Sequence, residues 1–173
     1  MKFITKLYLK SFLIYGLSFA ALMFLWAYLS EESLDLPKQL ITALLFGILM
    51  SWATVTAQTR ALRRLGNSNE GELKEGHFNV SQSLVLRTEN NLQEIYNLLN
   101  IDQATRKWRF KFFQDTIIGR TNISWASWGE KIIISKHKES IKVESKPLLK
   151  TTLFDKGKNR ENVILLKQII ERR

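Results

Sequence analysis

Few residues in this chain are of types that carry out chemistry, and their spacing suits it poorly. There is no cysteine, which removes thiolate metal sites, disulfide frameworks and thiol nucleophiles. The two histidines, His77 and His137, lie far apart in polar contexts, with no HExxH or similar ligand spacing around either. No GxGxxG or GxxxxGK[ST] phosphate loop and no GxSxG nucleophile elbow occurs. The nearest thing to an anion site is Asp155-Lys156-Gly157-Lys158-Asn159-Arg160, at an expected helix start. Backbone N–H groups and three cations there could hold a phosphate. Ordinary capping by Asn159 accounts for the same residues. Glu130 and Asp115 suggest a carboxylate pair, but both fall in expected turns with nothing to fix their separation. The reading is of a non-enzymatic protein, with no catalytic residue, no metal ligand and no cofactor.

The chemistry that remains is charge. The 173 residues carry 26 Lys and Arg against 16 Asp and Glu, a formal net charge of +10. From Arg60 onward the count is 22 against 13. Arg106–Phe113 alternates, with Trp108, Phe110 and Phe112 on one side and Lys107, Arg109 and Lys111 on the other. Arg120 and Lys142, outward positions of later strands, extend the basic face. These five cations are the candidate contact with an anionic surface such as lipid head groups, whose attraction fades within a Debye length. Solubility and protection of sheet edges explain the same charge. Nucleic acid is disfavoured, because the exposed basic face has few aromatic residues on which bases could stack.

Two apolar runs must position this face. Ser11–Leu29 has 19 residues and Leu40–Ala57 has 18, both without a charge. A helix of 19 residues spans roughly 28 Å, close to the hydrocarbon thickness of a bilayer. The short loop between them makes the helices antiparallel neighbours, so residues 1–65 read as a transmembrane hairpin. Lys2, Lys6 and Lys10 precede the first span and Arg60, Arg63 and Arg64 follow the second, while the loop holds only Lys38 beside Glu31, Glu32 and Asp35. Both termini are therefore expected in the cytoplasm. A cleaved signal peptide is the competing reading, countered by the length of the run and the poor cleavage site at Tyr28-Leu29. Trp26, Tyr28 and Trp52 are candidate interfacial anchors. Gly16 and Ala20 on the first helix, and Ala43, Gly47 and Ser51 on the second, form small-residue faces that allow close helix packing, within the hairpin or against another membrane protein. Neither span holds an ionisable residue, which argues against a monomeric transporter or channel.

Residues 66–78 contain Gly66, Gly71 and Gly76 and read as a linker. The cytoplasmic domain then covers 79–173. VSQSLVLRT at 80–88 is a short strand or an extended lead-in. Glu89–Ile101 is an amphipathic helix with Leu92, Ile95, Tyr96 and Leu99 on one face and Thr88 as N-cap. Four strands follow, at 106–113, 116–124, 131–135 and 140–145, and then a helix over 160–171 capped by Asn159. The expected fold class is α+β: a two-helix transmembrane hairpin followed by a two-layer domain of four antiparallel strands covered by two helices. A pleckstrin-homology-like domain is the alternative, though it needs more strands. Trp125 and Trp128 are open between core, interface and partner contact.

Two stretches carry a resemblance. Ser124–Ile134 (SWASWGEKIII) and Ser145–Val163 (SKPLLKTTLFDKGKNRENV) resemble small uncharacterised bacterial membrane proteins that pair N-terminal transmembrane helices with a cytoplasmic α-β4-α domain. Residues 120–164 carry the likeness. It implies structural roles for Gly129 at a turn and for Asp155, Gly157 and Asn159 at a loop and helix start, and no catalytic residue. The expected protein is a multi-pass component of the bacterial inner membrane, an accessory or assembly subunit with a cytoplasmic interaction domain. Its expected partners are membrane lipids and another integral membrane protein or further copies of itself. An anionic-lipid-binding surface module is the alternative.

Overall fold

The computed structural model describes residues 2–30, 35–66, 75–123, 127–137, 139–149, 152 and 155–172. Glu31 and Glu32 of the inter-span loop, most of the expected linker, and Ser124, Trp125 and Phe154 of the two resembling stretches lie outside the described residues. The chain divides into two compact units, Met1–Arg60 and Ala61–Arg173.

The first unit is built on α1 (Lys2–Leu29) and most of α2 (Leu36–Gly66). Both contain the expected spans and run past them, because the flanking Lys, Arg, Leu and Gln residues are good helix formers. Both are long and apolar enough to cross a membrane. Their apolar windows are only 6% and 22% buried within the chain. Leu17 and Leu45 are 67% and 62% exposed, amid a larger apolar surface of the kind soluble monomers avoid. The two helices pack antiparallel. A Cβ at Gly47 would stand 3.2 Å from the Gly16 Cα and 3.0 Å from the Phe12 ring, so this approach needs glycine. The Phe19 and Phe46 rings stack with centroids 4.2 Å apart, and Thr54 Oγ1 donates to the Tyr15 hydroxyl at 3.2 Å.

The second unit opens on the end of α2, where Leu62 is fully buried against Gly157. Helix continues to Gly66, and Glu75–Phe78 is a 3₁₀ turn pinned by the buried Phe78. The linker expected over 66–78 is thus shortened at both ends. Then come β1 (Gln82–Leu86), α3 (Leu92–Ile101), β2 (Arg109–Phe113), β3 (Thr116–Arg120), β4 (Glu130–His137), β5 (Ser140–Pro147) and α4 (Lys158–Glu171). The sheet is antiparallel with order β1-β5-β4-β3-β2. It has five strands, not four. β1 earns its place by pairing with β5, a partner far along the chain that local periodicity does not reveal. The domain is α+β, and among the described residues its five strands are fewer than the pleckstrin-homology alternative needs.

Strand alternation builds the layers. Phe110, Ile117, Ile132, Ile134, Ile141 and Val143 point to one face, where α3 and α4 cover them with Ile95, Leu99, Val163, Leu166 and Ile170. Phe110 lies over Gly119 on the neighbouring strand, where a Cβ would stand 2.6 Å from its ring. The caps differ from expectation. Asn91, not Thr88, caps α3 in a reciprocal box: Glu94 N donates to Asn91 Oδ1 and Asn91 N to the Glu94 carboxylate, each at 2.9 Å. α4 starts after Gly157, which has φ 76°, a left-handed conformation suited to glycine. Asn159 is already inside the helix.

Candidate functional site

The other face of the sheet is uncovered among the described residues, and its cations are aligned. In strand register Arg109 faces Arg120, Arg120 faces Lys131, and Lys131 faces Lys146. Neighbouring strands lie about 4.8 Å apart, so this is a row of four positive charges across four strands. Like charges directly opposite one another destabilise a sheet. Arg109, Arg120 and Lys131 have no ion-pair partner among the described residues. Lys146 pairs with Glu144 at 2.7 Å, and Glu144 also pairs with Lys142. The Lys142 hydrogen bond first, then that of Lys146, holds the Glu144 carboxyl below its ordinary range.

Of the five cations picked out by alternation, Arg109 and Arg120 stand in this row. Lys111 is in the next row, opposite Ile118. Lys142 lies farther along the sheet, tied to Glu144, and Lys107 is exposed in the turn before β2 rather than on a strand. Lys131 and Lys146 were missed. Both follow from the parity of their strands, but Lys146 lies beyond the strand end expected at residue 145. Beside the row, in the β3–β4 connection, Ile123 and Trp128 are 71% and 68% exposed. Trp128 is therefore not a core residue.

The small-residue faces meet each other. Ala43, Gly47 and Ser51 are buried, and a Cβ at Gly16 would stand 3.6 Å from the Ala43 carbonyl oxygen and 3.9 Å from the Gly47 Cα. Ala20 is half-buried on the same helix as Gly16.

The carboxylates singled out in sequence have internal roles. Asp115 is exposed in the β2–β3 turn, whereas Glu130 is buried at the far end of the sheet, so they form no pair. Glu130 accepts from the Thr121 and Ser127 hydroxyls and from Asn162 Nδ2 at 3.3 Å. Asn162 Nδ2 also reaches Ser145 Oγ at 3.3 Å, and Ser145 Oγ donates to Asn159 Oδ1 at 2.6 Å. Asn159 Nδ2 donates to Asp155, whose carboxylate also accepts from the backbone N–H of Gly157 and Asn159, all at 2.9 Å. One buried network thus joins the two stretches that carry the resemblance. Asp155 occupies the N–H groups an external anion would need, and Lys158 pairs with Glu161 at 2.8 Å. The 155–160 loop supplies its own anion. Asn159 and Asn162, three positions apart, share one face of α4, a signal legible in sequence where Asn159 was read only as a cap.

At the sheet end opposite the cationic row, an open groove of about 470 Å³ is lined by Glu89, Asp115, Glu139 and Lys136 among others. His137 closes β4 in an exposed position, and its carbonyl accepts from Ser140 Oγ at 2.6 Å. Among the described residues no group of three His, Cys, Asp or Glu side chains could hold a metal ion.

Comparison with known protein families, with curated proteins and with solved structures finds no match to this chain.

Proposed function

We propose that this is a non-enzymatic, multi-pass protein of the bacterial inner membrane, with both termini in the cytoplasm. The hairpin anchors the α+β domain, which acts as the interaction module of an accessory or assembly subunit in a membrane protein complex. The observation that carries this reading is the low burial of the two apolar helices, 6% and 22% over their spanning windows, in a chain that also holds a well-packed polar domain. Lipid is the solvent that makes such a surface favourable. The bias of Lys and Arg toward the outer flanks of the two spans supports the orientation. Glu130 and Asp155, the buried carboxylates, are spent on hydrogen bonds within the fold, which supports a binding rather than a catalytic role.

The packing changes where a partner would touch. The Ala43-Gly47-Ser51 face is used inside the hairpin, so a second membrane protein or a further copy would meet the outward aliphatic surface or the domain. Mild detergent extraction of the native chain followed by mass determination tests the subunit reading. A mass above that of one chain, or a co-purifying membrane protein, is the expected result. A strict monomer with nothing bound counts against it. A C-terminal reporter active only in the periplasm removes the orientation.

A further inference from the structure

We infer that the cationic row, together with the side chains of Ile123 and Trp128, forms one docking surface for an anionic phospholipid bilayer. This rests on the membrane-anchored reading above. The row is flat and extended, about 15 Å from Arg109 to Lys146 at the usual strand spacing, which suits a plane of head groups better than a point ligand. Three of its four cations have no ion-pair partner among the described residues, and an anionic surface would relieve several like-charge contacts at once. Ile123 and Trp128 extend the same end of the sheet and are both mostly exposed. Tryptophan favours the head-group level of a bilayer. The chain also enters the domain at this end. Leu62, only five positions past the second apolar run, is buried on Gly157 at the start of α4, and Asn159 and Asn162 of that helix reach Ser145 and Glu130. The opposite end groups Glu89, Asp115 and Glu139 with Lys136, a net acidic lining that an anionic surface repels, so the charge pattern sets an orientation as well as an attraction. Nucleic acid fits less well, because among the described residues Trp128 alone of the exposed aromatics stands beside the row, with Phe113 at the far end of the sheet, and a stacking platform needs several.

The absence of cysteine makes the test direct. A single cysteine introduced as Ile123→Cys in the full chain carries an environment-sensitive fluorophore, and the protein is reconstituted into bilayer discs. The emission should shift to the blue in phosphatidylcholine discs containing about one third phosphatidylglycerol, relative to phosphatidylcholine alone. Raising salt from about 0.1 M to about 1 M cuts the Debye length from ~10 Å to ~3 Å and should reverse the shift. The combined Arg109→Gln, Arg120→Gln and Lys131→Gln variant should lower the ratio of docked to undocked domain about a hundredfold, at about fivefold per cation. It removes like-charge contacts, so it should melt no lower than the parent. A label at Glu139→Cys, at the acidic end, should not shift. Equal emission in the two lipid compositions, a shift that survives both salt and the triple variant, or an equal shift at residue 139 overturns the inference. So does an oligonucleotide that displaces the label from anionic discs at matched phosphate concentration. A chain that fails to insert into discs, or washes out of them in carbonate, sinks the anchored reading and this inference together. A chain that stays inserted with an unresponsive label sinks only the inference.

Discussion

The two faces of the sheet are made by alternate residues of the same strands, and they are built to different ends. On the covered face Ile117, Ile132, Ile134 and Val143 are fully buried, and each neighbour across the strands is apolar or hydrogen-bonded. On the bare face Arg109, Arg120, Lys131 and Lys146 stand side by side with a single carboxylate, Glu144, serving two of the face's lysines. Folding stability accounts for the first arrangement. It does not account for the second, since any neutral β-former at Arg120 would relieve two unfavourable neighbours. A face that costs stability without covering the core is what the proposed docking to an anionic bilayer would require.

The comparison can be broken most forcefully at Ile132, which sits at the centre of the covered face. Ile132→Ala should cost about 2–5 kcal/mol, because α3 and α4 cannot collapse onto the space left behind. Denaturant unfolding of the detergent-solubilised full chain measures this. A loss below about 1 kcal/mol would mean that the helices are not seated on this face as described.

A smaller but still clear loss is expected from the buried polar network at the edge of the same face. Glu130→Ala strips Thr121, Ser127 and Asn162 of a shared acceptor and should cost about 1–3 kcal/mol. If the network acts as a unit, Glu130→Ala combined with Asn162→Ala should cost less than the two changes added together. Strict additivity would show that Glu130 and Asn162 act independently.

Arg120 sharpens the contrast by reversing the sign. Arg120→Thr replaces a cation flanked by two others with a neutral residue of good strand propensity. Stability should rise by about 0.2–1 kcal/mol while affinity for anionic bilayers falls. Stability and binding measured on the same variant decide it. A fall in both would mean that Arg120 contributes to folding and that the two faces do not differ as argued.

What was legible in the sequence follows this division. The 3.6-residue and two-residue periods of Leu92–Leu99, Trp108–Phe112 and Ile141–Val143 place one helix and two strands directly, because core burial imposes those periods. Uncharged length gives α1 and α2. β1 was visible only as a mild alternation, since its pairing with β5 is a property of the fold and not of residues 82–86. The caps were misplaced because Thr88, Asn91 and Asn159 are all plausible cap residues and only geometry selects among them. On the bare face, parity found Arg109 and Arg120; Lys146 lies past the strand end expected at 145, and Lys131, the first residue of its expected strand, was left out although the same alternation places it outward. The Glu130 network was beyond reach for another reason: its members come from β4, β5, α4 and two loops, and no local pattern joins them.

The mildest test uses pH. Glu144 is held below its ordinary value of 4.5 by Lys142 and Lys146, so its folded pKa lies under its unfolded one. Its contribution to stability is then complete above about pH 4.5 and is lost as pH falls below 4.5 through the lowered folded value. Both lysines are substantially exposed, so the effect should stay under about 1 kcal/mol. Protonation also frees both lysines and makes the bare face more positive. Acidification should therefore lower stability slightly and strengthen docking to anionic bilayers, again in opposite directions. Glu144→Gln should remove this residue's share of both responses. If docking in the Glu144→Gln variant tracks pH as steeply as in the parent, Glu144 is not the group that moderates the cationic row.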